Sequence, residues 1–81
     1  MGRASIERPK HLAEKLRKLR EKLGASQNEM IRMLDLSESI TQAELSAFEL
    51  GKRVPPLIVL LKYARFNQIH IDDLVDDEVL I

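Results

Sequence analysis

The chain has no cysteine, no tryptophan, one tyrosine and two phenylalanines, so aromatic residues make up only 4% of its 81 positions. Without cysteine, neither a disulfide framework nor a zinc knuckle can staple the fold, and the two histidines, His11 and His70, stand 59 positions apart. A core with so few rings has to be built from Leu, Ile, Val and Met. No apolar run approaches the roughly 18 residues of a membrane span, and the N-terminus lacks the apolar stretch of a signal peptide. A soluble cytoplasmic protein with no membrane partner is therefore expected. The length is about half that of a typical domain, which excludes a two-lobed enzyme and makes the core marginal. A hydrophobic content of 44% argues against disorder throughout.

Net charge is also lacking: 13 cations balance 13 anions. The zero conceals a gradient. Residues 1–22 carry eight cations against three anions, whereas residues 70–81 carry Asp72, Asp73, Asp76, Asp77 and Glu78 with no Lys or Arg. The middle is neutral, five against five. A polyanion could be held by a basic face while the acidic end stays away, although a pI near 6.7 is low for a nucleic-acid binder.

What is present reads as helices. From Pro9 to Leu23, the residues Leu12, Leu16, Leu19 and Leu23 fall at helical offsets, with Pro9 suited to the first turn and Gly24 to the stop. Ser26-Gln27-Asn28-Glu29 is a capping box that opens a second helix, with Met30, Ile31, Met33 and Leu34 inward and an end near Asp35. Leu36 to Ser39 reads as a polar connection. Thr41-Gln42-Ala43-Glu44 is a second capping box, flanked by Ile40 and Leu45 as a hydrophobic staple, and Ser39 with Gln42 offers a competing box two residues earlier. The third helix buries Leu45 and Phe48 and runs to about Leu50, before Gly51. After the basic loop Lys52 to Pro56, a fourth helix starts at Leu57 with Leu57, Leu60, Leu61 and Ala64 inward, and Asn67 and Gln68 break it. A short fifth helix, about Ile71 to Val75, has acids in its first turn. The expected architecture is all-α: one domain over residues 1–81, with an N-terminal arm (1–8), a compact five-helix core (9–75) and an acidic and apolar tail (76–81).

Little here suggests catalysis. Neither His11 nor His70 has an obvious nucleophile beside it, so surface or capping roles are expected. The Asp72-Asp73 and Asp76-Asp77 pairs lack a glycine-containing ligand loop, so they read as dipole compensation and solvated surface rather than a cation site. No catalytic residue, metal, cofactor or small-molecule ligand is implied. The informative feature is the central pair of short capped helices followed by Gly51-Lys52-Arg53. The second helix of such a pair can place side chains against base edges while loop cations hold phosphates.

Leu16-Arg17-Lys18-Leu19-Arg20, Ala25-Ser26-Gln27-Asn28-Glu29-Met30, Leu45 to Arg53, and Pro55 followed by Leu57, Leu60, Leu61 and Ala64 together resemble the Cro/repressor-type (XRE-like) helix-turn-helix domains over Leu12 to Val75. The resemblance implies a five-helix fold that binds double-stranded DNA through helix 3. It casts Gln27 as a phosphate contact and Gln42 as the principal base reader, an amide able to pair with adenine. Ala43, Glu44, Ser46 and Ala47 would fill the rest of the exposed face, with Ser26 and Thr41 at the helix starts and Lys52 and Arg53 in the loop. Arg20 and Glu49 match family positions that pair. The resemblance also favours a bacterial or phage origin.

This sequence departs from the family in one place. About four extra residues, Leu36 to Ser39, separate helices 2 and 3, to be absorbed by a longer helix 2 or a larger loop. Ile58 and Val59, with Val79, Leu80 and Ile81, add apolar surface beyond the inward stripe and point to a homodimer interface. The expected function is a DNA-binding transcriptional regulator that represses from a palindromic operator. The alternatives are an antitoxin-like autoregulator and a helical protein-interaction module that does not bind DNA.

Overall fold

A computed structural model describes residues 9–79. It contains five helices, α1 (Leu12–Lys22), α2 (Gln27–Met33), α3 (Gln42–Glu49), α4 (Leu57–Phe66) and α5 (Ile71–Val75), and no strand among the described residues. Helix α3 packs on α1 and α2, and α5 packs on α4 and α1. Leu12, Leu16 and Leu19 of α1 meet Met30 and Ile31 of α2, Leu45 and Phe48 of α3, Val59, Leu60, Tyr63 and Ala64 of α4, and Leu74 of α5 in one core. No described helix is long and apolar enough to cross a membrane.

Helix α1 begins at Leu12, after an N-cap at His11, so Pro9 precedes the helix rather than sitting in its first turn; the other start and stop signals act as chemistry predicts. Ser26 Oγ accepts from the Glu29 N–H at 3.1 Å, and Glu29 Oε1 accepts from the Ser26 N–H at 2.8 Å. The same reciprocal pair joins Thr41 and Glu44, so the start of α3 is set at Thr41 and not by Ser39 with Gln42. Helices α1 to α4 each end in a Schellman motif, with two backbone N–H groups turned back onto carbonyls of the last turn. Gly24 and Gly51 take the left-handed position in two of them, and Asp35 and Gln68, both at φ 57°, take it in the others.

The connection between α2 and α3 is an enlarged loop and not an extended helix. Asp35 ends α2, and the Leu36 carbonyl then accepts from both Ser39 and Ile40, closing a tight turn. Leu36 is a core residue, 1% exposed, so it anchors a segment whose composition suggests only a polar linker.

Four expected inward positions are corrected. Leu23, placed in the stripe of α1, is the C-cap residue and is 42% exposed. Met33 is 39% exposed, because Met30, Ile31 and Leu34 define the stripe of α2 and Met33 lies roughly 110° from its centre. On α4 the buried residues are Val59, Leu60, Tyr63 and Ala64, while Leu57 is exposed and Leu61 half-buried. Tyr63 is the largest fully buried side chain of that helix, and its burial turns the inward face by about 80° from the all-aliphatic stripe. Val59 is therefore 1% exposed in the core and cannot belong to a dimer interface, whereas Ile58 points outward. Val79 is half-buried, and Leu80, Ile81 and the arm 1–8 lie outside the described residues.

The acidic end does not stay away from the basic helix. Asp77 accepts from the N–H groups of Lys10 and His11 at 3.0 and 3.1 Å, capping α1. In return the buried Lys15 ammonium donates to the Asp73 and Asp76 carbonyls at 2.8 and 2.7 Å, capping α5. Each helix end supplies what the other lacks.

Candidate nucleic-acid interface

Helix α3 is only two turns long, and its inward residues Leu45, Phe48 and Glu49 decide what it presents outward. With about 100° per residue, Ala43, Ser46, Ala47 and Leu50 occupy the middle of the outer face, Gln42 stands on one edge and Glu44 on the other. Ala43 and Leu50 are exposed, Ser46 and Ala47 half-buried. Leu50, at 62% exposure, is a contact candidate that sequence reasoning assigned only to the helix end. The outer face is thus small, nearly uncharged and suited to methyl contacts and one amide.

The two edges carry different partners. On the first edge, Gln42 Nε2 donates to Gln27 Oε1 at 3.3 Å, which ties the first residue of α3 to the first residue of α2. Beside them a shallow depression is lined by Asn28, Arg32, Ser37 and Thr41, among others. Arg32 was missed by the sequence reasoning. Its signal is the i,i+4 spacing from Asn28 on the outward side of α2, which puts a cation on the same depression that Gln42 lines. On the second edge, Arg53 Nη1 lies 3.5 Å from Glu44 Oε2. Glu44 also caps the Thr41 N–H, so its carboxylate is turned onto the chain itself. Lys52 is exposed, held in place through its backbone N–H on the Ala47 carbonyl. Ser26 and Thr41 are exposed with their hydroxyls accepting from their own helices.

Beneath this surface Arg20 and Glu49 face each other. Arg20 Nε and Nη2 donate to the two carboxylate oxygens of Glu49 at 2.8 and 3.0 Å, and Nη1 donates to the Ala25 carbonyl at 2.9 Å. The Glu49 side chain is 3% exposed and that of Arg20 16%. The hydrogen bond to Glu49, with its negative charge, outweighs desolvation and raises the guanidinium pKa. Gln27 Nε2 adds a third donor to Glu49 Oε1 at 3.2 Å, so the ion pair below and the amides above form one network. Tyr63 is fully buried close by, and burial followed by the Glu49 charge pushes its phenol pKa well up. Its hydroxyl has no partner among the described residues.

The geometry therefore joins Gln27 with Gln42, Glu44 with Arg53 and Arg20 with Glu49, and spreads cations along both sides of α3. A family model described as a helix-turn-helix domain matches residues 13–78. Neither a curated protein nor a solved structure matches the chain.

Proposed function

We propose that this chain, which belongs to the XRE/Cro-type helix-turn-helix family, is a DNA-binding transcriptional regulator that represses by occupying a palindromic operator through α3. The observation that carries the reading is the outer face of α3: a single amide, Gln42, beside small apolar side chains, with Arg32 to one side and Lys52 and Arg53 to the other. Amide and methyl groups suit base edges, and flanking cations suit phosphates. With two alanines on the face, direct readout is thin and DNA shape contributes to specificity.

One such domain reads a half-site, so a homodimer is part of the proposal. Leu57 and Ile58, 71% and 51% exposed at the start of α4, support it as apolar surface left uncovered among the described residues.

Electrophoretic titration against genomic fragments at two salt concentrations tests the function. Binding should weaken steeply with salt, by roughly 0.9 log units of affinity per log unit of salt for each phosphate contacted. Lys52→Ala should lower affinity for every sequence and reduce that slope by about one, whereas Gln42→Ala should relax preference at one base position. Absence of salt-dependent binding to any fragment would instead favour a protein-interaction module.

A further inference from the structure

The geometry points to Glu49 as a positioning residue that sets, through Gln27, which end of the Gln42 amide faces the DNA. This rests on the reading of Gln42 as the base-contacting residue given above.

The argument follows the direction of each hydrogen bond. A carboxylate paired with a guanidinium carries no proton and can only accept. Glu49 is such a group, with both oxygens already bonded to Arg20. Gln27 must therefore turn its NH2 toward Glu49 Oε1, where it sits at 3.2 Å, and this leaves its carbonyl oxygen pointing to α3. An oxygen there accepts only from a donor, so Gln42 turns its own NH2 toward Gln27, at 3.3 Å. One N–H of Gln42 is used in this way. What remains for a ligand is one N–H and one carbonyl oxygen, in a fixed order.

Adenine presents an acceptor, N7, beside a donor, N6–H, and complements that order. Guanine presents two acceptors, N7 and O6, and meets the fixed carbonyl oxygen unfavourably. A freed amide could turn end for end or aim its NH2 between both guanine acceptors. The buried carboxylate thus acts on base choice without touching DNA, and Gln27 acts as the relay rather than solely as a phosphate contact.

The test uses selection from a random double-stranded DNA library with the wild type, Gln27→Ala, and the double variant Arg20→Met with Glu49→Gln. The double variant removes both charges together, so no unpaired buried ion remains, and it gives position 49 an amide that can face Gln27 with either end. The wild type should select adenine at one position of each half-site by roughly 5- to 150-fold over guanine, the range for a good bidentate pair. Both variants should lose most of that preference while keeping the remaining positions of the motif. In DNA-free protein, the 15N–1H signals of the Gln42 side-chain amide should show one bonded proton in the wild type and move to solvent-exposed shifts in Gln27→Ala. Full adenine preference in Gln27→Ala, or a uniform loss of affinity with base preference intact, overturns the relay. Full preference in the double variant overturns the role of Glu49. A wild type that enriches no motif removes the DNA reading and the relay together, and the amide signals then show whether the hydrogen-bond chain exists in its own right.

Discussion

Arg20 and Glu49 join α1 to α3 across 29 positions of sequence. Removing one partner leaves the other charged and buried, at a typical cost of roughly 3–5 kcal/mol. Arg20→Met should lower the melting temperature by well over 10 °C in a protein of this size, measured by calorimetry. An unchanged melting temperature would mean that the pair is solvated and worth little. The network above the pair is more exposed, and Gln27 and Gln42 contribute to it through amide polarity rather than stability.

Helix ends show which local choices are strained. Gln68 occupies the left-handed position that ends α4, and a side chain with a Cβ is strained there by about 1–2 kcal/mol. Gln68→Gly relieves that strain at the cost of greater freedom in the unfolded chain, for a net gain of about 0.5–1 kcal/mol and a rise of about 2–8 °C in melting temperature. The α1–α5 clamp gives a pH prediction. The N–H groups of Lys10 and then His11 hold the Asp77 carboxyl below its ordinary value. A depressed carboxylate pKa means that its stabilisation is fully present above the unfolded value, near pH 4, and fades as pH falls through the folded value. Wild type should therefore melt above Asp77→Asn by a constant margin at pH 5–8, and the margin should shrink below about pH 4. A margin independent of pH down to 2 would mean that the cap does not depend on charge.

At the scale of the molecule, α4 bears on assembly. α4 places Ile58 outward and Val59 in the core, so the proposed interface rests on Leu57 and Ile58 and does without Val59. Sedimentation at tens of micromolar without DNA should show a dimer for the wild type and a monomer for Ile58→Asp, with both folded by circular dichroism. A monomeric wild type would leave pairing on the operator as the only route to a two-fold complex. The clamp also bears on steering. With Asp77 against the start of α1, the acidic end offsets part of the positive charge there.

Helix limits, caps and the α3 start were legible in the amino-acid sequence because they rest on short-range chemistry: an i,i+3 side chain reaching a backbone N–H, a glycine at positive φ, a proline before a helix. The face of each helix was legible where apolar residues form a single stripe, as in α1. It was not legible in α4, where apolar residues lie on several sides and the choice fell to Tyr63 once neighbouring helices were in place. The sequence motif brought Gln27, Gln42, Lys52 and Arg53 to notice, yet Arg32 on the depression that Gln42 lines, Leu36 in the core and the clamp between α1 and α5 depend on chain segments up to 67 residues apart. Tertiary structure decided these because burial and long-range hydrogen bonds are properties of the packed chain, and no local pattern records which distant group will satisfy a given donor or fill a given gap.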